Sequence, residues 1–155
     1  MNKIGKLGEE LIARWLQIQN YRILLQNWRC RWGEIDLIAL EQTKKGTAKA
    51  IAFVEVKTRS QNNWDEAGLL AVDLNKQQKI IQTASLFLAQ YPQLAELPCR
   101  FDVALVSYQI VPKSVSRNNL EVRQITQLNI GRAIAVQQYQ FTIENYLPSA
   151  FDLSD

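Results

Sequence analysis

Apolar and small residues recur at positions 4, 7, 8, 11, 12, 15, 16 and 18, which predicts an amphipathic helix over residues 4–18. Strand-like runs rich in apolar residues follow and predict strands at 21–29, 34–40 and 50–59. Residues 42–49 are polar and include Gly46, so they form the turn between the second and third of these. Asp73 is placed to N-cap a long amphipathic helix that runs to about Tyr91, where Pro92 stops it. Residues 101–108 read as a fourth strand. Beyond Pro112 the pattern weakens, and 120–128 and 138–143 are the candidate strands. Short turns make the first strands antiparallel neighbours, whereas the long helix before the fourth strand makes a crossover between parallel ones. The expected class is therefore α/β, with a mixed sheet carrying helices on its faces. One domain over 1–155 is expected, with its core at about 4–112 and residues 113–155 unassigned.

Composition narrows the chemistry more than the fold. Hydrophobic residues make up 47% of the 155 and charged residues 21%, as in an ordinary globule. The chain has no histidine, which excludes Ser-His-Asp and Cys-His nucleophile pairs and any His-ligated metal. Cys30 and Cys99 are too few for a thiolate zinc site and read as buried reduced thiols. Any metal must be held by carboxylates, which points to Mg²⁺ or Mn²⁺. Glu9 and Glu10 interrupt the N-terminal apolar pattern, so no signal peptide is expected. The charge-free run 80–95 is too short to span about 30 Å of hydrocarbon. A cytoplasmic protein that does not enter a membrane is the expectation. The net charge of +3 is unevenly spread: residues 1–60 hold 11 Lys/Arg against 6 Asp/Glu, and 61–112 hold 3 against 5. A basic first third suits a polyanionic partner, although solvated surface charge accounts for it equally well.

Four positions combine into a candidate site. Glu55 and Lys57 lie in Phe53-Val54-Glu55-Val56-Lys57, where alternation puts both on one strand face together with Phe53. By itself this pair also fits an exposed ion pair of little value. Asp36 lies in Gly33-Glu34-Ile35-Asp36-Leu37-Ile38. A symmetric hairpin closed between Lys45 and Gly46 sets Asp36 directly across from Glu55, where cross-strand Cβ atoms are about 5 Å apart. A one-residue slip of register would instead turn Asp36 to water. Glu9 falls at the rim of the first helix's apolar sector, towards Leu16, and Glu10 falls opposite its centre. Helix geometry alone favours solvation for both. Two or three carboxylates with one lysine and no histidine fit a Mg²⁺ phosphodiesterase site. In such a site the lysine orients water or stabilises transition-state charge.

Gly5-Lys6-Leu7-Gly8-Glu9, Asn27-Trp28-Arg29, Gly33-Glu34-Ile35-Asp36-Leu37-Ile38, Phe53-Val54-Glu55-Val56-Lys57-Thr58-Arg59 and Arg100-Phe101-Asp102-Val103 follow one another in this order. In these motifs, across residues 5–108, the chain resembles the YraN-type family of small bacterial endonuclease-like proteins. That family is similar to archaeal Holliday-junction resolvases within the PD-(D/E)xK nuclease superfamily. The resemblance implies a restriction-endonuclease-like fold of α/β/α layers around a mixed central sheet. It implies a metal-dependent endonuclease acting on DNA phosphodiester bonds, with selectivity for branched or junction DNA, and a homodimer by analogy with resolvases. Asp36 and Glu55 become metal ligands, Lys57 the catalytic lysine, and Glu9 the helix carboxylate that completes the site through a water or a second metal. Ile35 stands where the superfamily has proline.

Arg29, Arg31, Arg59, Lys76 and Lys79 are the candidate phosphate contacts, each against the alternative of plain surface solvation. Trp28, Trp32 and Trp64 can stack on unpaired bases, but core placement is the expectation for large aromatics. Gly5-x-x-Gly8 is too short for a phosphate loop, and its glycines are expected to permit close packing at the helix start. Two rival readings stay open at this point: a non-catalytic DNA-binding module on the same fold, and a nuclease that prefers RNA.

Overall fold

The computed structural model describes residues 2–61, 72–112 and 120–152. Six strands form one sheet in the order β1-β2-β3-β4-β6-β5, built from β1 (Tyr21–Cys30), β2 (Gly33–Gln42), β3 (Ala48–Ser60), β4 (Cys99–Ile110), β5 (Ile134–Val136) and β6 (Tyr139–Phe151). Helix α1 (Lys3–Ile18) covers one face and helix α2 (Leu74–Gln90) the other. β1, β2 and β3 pair antiparallel, β3 and β4 pair parallel, and β6 runs antiparallel to both β4 and β5. This is the expected mixed sheet with its crossover through the long helix, and it has the restriction-endonuclease-like α/β architecture.

Local signals start and stop the helices. The Asn2 side chain accepts a hydrogen bond from Gly5 N at 2.6 Å and opens α1, and Asp73 accepts from Lys76 N at 2.8 Å and opens α2. The α1 face buries Leu7, Leu11, Ile12 and Leu16 against Leu37, Ala39, Ala52, Val54, Ala104 and Val106. The α2 face buries Ile80, Ala84 and Phe87 against Ile38, Leu40, Ile51, Phe53, Phe101 and Val103. Alternation along the strands thus serves two cores at once. The β2–β3 hairpin closes at Thr43–Thr47 with Gly46 at φ 86°, a conformation glycine adopts without strain.

The C-terminal part departs from expectation in two ways. Residues 120–128 are not a strand: they contain a 3₁₀ turn (Val122–Gln124), and Val122, Ile125 and Leu128 are the buried side chains. Their spacing of three departs from the period of two that a strand needs, and only Val122 lies within the 3₁₀ turn itself. The core also does not end near residue 112. β6 is thirteen residues long and pairs with β4, and Phe141 and Ile143 are fully buried. The cysteines are free but half-buried rather than buried, because each sits at a strand end.

Gly8 shows how closely α1 lies on the sheet. A Cβ there would fall 2.1 Å from Thr58 Oγ1 and 3.2 Å from both Thr58 carbons. Thr58 Cβ itself is at 3.2 Å, so even after rotation of the hydroxyl away from α1 the contact stays tight. Gly8→Ala is expected to destabilise by about 1–3 kcal/mol, the range for overpacking. The double variant Gly8→Ala/Thr58→Ala should recover most of that loss in denaturant unfolding.

Candidate active site

The site lies where β2 and β3 part. From Glu41 (opposite Ala50) to Leu37 (opposite Val54) the register is the expected one, although the turn itself is not symmetric between Lys45 and Gly46: Gln42 pairs with Ala48 across a register shift, and beyond Leu37 and Val54 the pairing ends. Beyond that point β2 continues along β1 to Gly33 while β3 continues along β4 to Ser60. Asp36 and Glu55 are the next residues on the two strands, so they flank a fork rather than forming a ladder pair. The Asp36 carboxylate crosses the fork and accepts a hydrogen bond from Val56 N at 2.8 Å. Strand alternation breaks here: Ile35 joins the α2-side core with Ile38 and Leu40, while Leu37 and Ala39 join the other.

Glu55 and Lys57 are both buried and project from β3 on the α2 side, with Phe53 one step back in that core. Glu9 comes from α1, on the opposite side, and is also buried, at 6% exposure. This corrects the solvated placement that helix geometry favours. Asn27 supplies the reason. It interrupts β1 at φ 54°, and its amide nitrogen, oriented to satisfy its neighbours, donates to Glu9 Oε1 (2.9 Å) and Glu34 Oε1 (2.6 Å). In the sequence Asn27 stands out as the first residue of the Asn27-Trp28-Arg29 motif, with no role attached to it. Glu10, next along α1, is half-exposed.

Crowding of carboxylates sets the electrostatics. Burial, then the charge of Glu55, raises the Asp36 carboxyl from its ordinary 3.8 to about 8, against the opposing Val56 N–H. Burial, then Glu34, raises Glu9 to about 7, with Glu55 adding to the effect. Burial, then Arg59 and Lys76, pulls the Lys57 ammonium below the usual lysine range. The repulsion among these carboxylates is one that a cation would relieve.

The basic candidates separate. Lys76 Nζ lies 2.5 Å from Glu55 Oε1, inside the site, and was expected only as a phosphate contact. Arg59 is exposed and on the Lys57 face, with its guanidinium on Thr58 O at 3.0 Å. Arg29 pairs with Glu34 at 2.9 Å, and the Arg31 guanidinium lies 4.7 Å from the Trp32 ring centroid. Lys79 is exposed on α2 near Gly33. Trp28 is half-buried, edge-on to Phe87, but Trp32 is 42% exposed, which corrects the core placement expected for it. Trp64 lies outside the described residues.

The donor set can be tested against a divalent cation. Among the described residues no three His, Cys, Asp or Glu side chains group closely enough to hold a metal ion. An all-protein cage is therefore absent there. Asp36 and Glu55 fit Mg²⁺, which is commonly held by one or two carboxylates and keeps several waters. Glu9 stands behind them and not in a three-carboxylate group. Also among the described residues, no helix is long and apolar enough to cross a membrane.

Fold and site together define a restriction-endonuclease-like α/β protein with a polar fork between two central strands. Residues 8–106, which contain all four site residues, match the family described as uncharacterised protein family UPF0102, and the chain belongs to that family. This is the YraN-type family that the motifs resemble. A UPF0102 protein of Trichormus variabilis is 46% identical over 149 residues, covering 96% of this chain and 94% of the relative. One of Synechocystis sp. is 47% identical over 152 residues, covering 97% and 99%. A third, of Acaryochloris marina, is 45% identical over 157 residues, covering 97% and 91%.

Proposed function

We propose that this protein is a metal-dependent endonuclease that hydrolyses DNA phosphodiester bonds, with a preference for branched DNA. The observation that carries the reading is the Asp36 carboxylate, held by Val56 N–H on the strand that bears Glu55 and Lys57. Two carboxylates whose charges oppose one another are kept at one fork beside a buried lysine. A protein that merely bound DNA would gain nothing from that opposition.

Asp36 and Glu55 would hold Mg²⁺ or Mn²⁺, whose chemistry when bound is to acidify a water and neutralise phosphate charge. Lys57 donates hydrogen bonds to the attacking water or to a non-bridging phosphate oxygen. Glu9, with its carboxyl at about 7, can accept a proton near neutral pH. Arg59, exposed beside Lys57, meets a neighbouring phosphate, and Arg29, Arg31 and Lys79 extend the basic surface.

The test is a cleavage assay in Mg²⁺ and Mn²⁺ on linear duplex, single strand, flap, four-way junction and supercoiled plasmid. Cleavage by the wild type supports the reading, and the fastest substrate names the preferred structure. Junction binding with no cleavage would make the protein a DNA-binding module. Lys57→Ala is expected to slow turnover by about 10²-fold, in the range for loss of one transition-state donor, and to leave Mn²⁺ binding within a factor of about three. Equal loss of both would remove Lys57 from the chemistry.

A further inference from the structure

Lys76 sits in an unfavourable place for a helix cation. It is the third residue of α2, in the first turn, where the helix dipole disfavours positive charge, and no acidic side chain of that turn offsets it. Its backbone is fixed by the Asp73 cap at 2.8 Å. Its side chain turns to the fork, where Nζ meets Glu55 Oε1 at 2.5 Å. The two ends of this pair differ: the Glu55 side chain is 9% exposed and that of Lys76 is 51% exposed. One partner is held in the protein, and the other is on a flexible stem with open solvent beside it.

We propose that Lys76 is a resident counter-ion that holds the Glu55 carboxylate in place of a divalent cation and is displaced when that cation binds. The inference rests on the reading of Asp36 and Glu55 as cation ligands. A carboxylate oxygen contacted by an ammonium at 2.5 Å is not open to a metal on the same side, so a cation that takes Glu55 Oε1 from that side breaks the pair. Removing a charge partner from a buried carboxylate is costly, and Lys76 removes that cost from the metal-free protein. The displaced ammonium stays tethered to α2 at the mouth of the fork, where a DNA phosphate is its next counter-ion. Cation binding and DNA binding then favour each other by linkage.

The experiment is Mn²⁺ calorimetry on the wild type, Lys76→Met, Lys76→Arg and Lys79→Met at one ionic strength, with thermal unfolding of each protein with and without Mn²⁺. Lys79, exposed one turn further along α2, controls for loss of a charge at a distance. Lys76→Met is expected to bind Mn²⁺ about tenfold more tightly, because an ion pair with one buried partner exceeds the value of an exposed pair. The metal-free Met variant should unfold at a lower temperature, and Mn²⁺ should raise its midpoint more than that of the wild type. Lys76→Arg keeps the charge with a more tenacious carboxylate fork and should bind Mn²⁺ more weakly. It also tests the idea should the Met variant fail to fold. Equal Mn²⁺ affinity in wild type and Met variant, a gain matched by Lys79→Met, or unweakened binding by the Arg variant overturns the inference and leaves the nuclease reading intact. No Mn²⁺ binding by any of the four overturns the ligand assignment of Asp36 and Glu55, and the inference with it.

Discussion

Asp36→Asn is expected to abolish metal-dependent cleavage and to leave the metal-free protein at least as stable as the wild type. An amide keeps the shape of the side chain and an oxygen to accept from Val56 N, so the fork should hold its form. What disappears is the negative charge. With it goes half of the carboxylate pair, and a loss of about 4 kcal/mol of transition-state stabilisation corresponds to about 10³-fold in rate. DNA affinity without metal should be unchanged or higher, because one charge that repels phosphate is removed. Collapse of affinity together with cleavage would show that Asp36 serves folding rather than chemistry.

The stability half of this prediction follows from linkage. The Asp36 carboxyl titrates at about 8 in the folded chain and at its ordinary 3.8 when unfolded. Glu9 moves the same way, from 4.5 to about 7. Between those values the folded chain binds more protons than the unfolded chain, so stability falls as pH rises. The melting temperature of the metal-free wild type should therefore decline from about pH 4 to about pH 8 through these groups. Asp36→Asn should make that decline shallower throughout and end it near pH 7, where the contribution of Glu9 stops. Saturating Mn²⁺ should flatten it too, because cation binding needs the deprotonated carboxylate and releases its proton. A pH-independent melting temperature in the metal-free wild type would contradict the crowding of carboxylates at the fork.

The largest stability effect is expected at Asp102→Ala, on the other face of the sheet. Asp102 is fully buried. Its two oxygens lie 3.1 Å from Arg100 Nε, and it accepts from Tyr146 OH at 2.5 Å and from Ser149 N at 2.9 Å. Arg100 continues the network to Glu41 at 3.2 Å and to the Tyr21 hydroxyl. The cluster ties β1, β2, β4 and β6 together. Ser149, at φ 51°, lies where β6 bulges past Asp102, so the carboxylate satisfies backbone that the ladder leaves out. Removing it strands a mostly buried guanidinium and a half-buried phenol. The cost is expected at about 3–5 kcal/mol, or about 10 °C in melting temperature at this chain length. Mn²⁺ binding measured well below the transition should persist, because Asp36 and Glu55 belong to the β2–β3 fork. A change under about 1 kcal/mol would show that the cluster contributes little to stability, as exposed ion pairs do.

Much of this protein could be read from residues alone, and the reason is local. Helix caps at Asp73, apolar periodicity in α1 and the turn at Gly46 are properties of a few neighbouring residues. The β2–β3 register from Glu41 to Leu37 is the one expected from the sequence, reached through a shift beside the turn, and it brings Asp36 and Glu55 to the same level. The 3₁₀ segment near Val122 was misread because isolated apolar residues fit several periods. The extent of β6 was misread because its outer positions, Glu144 and Asn145, are exposed and polar.

The sequence by itself determined the order of elements as far as β4, the mixed sheet, the exclusion of histidine chemistry and the shared face of Glu55 and Lys57. Each of these depends on residue type and on a period of two or of 3.6. Only the tertiary structure decided that β2 and β3 part immediately after Leu37 and Val54, that Asn27 holds Glu9 inside, that Lys76 reaches Glu55, and that Arg100 and Asp102 anchor β6. These contacts join residues from 17 to 47 positions apart along the chain. Burial of charge depends on what the other elements cover, and no local pattern of apolar and polar residues records that.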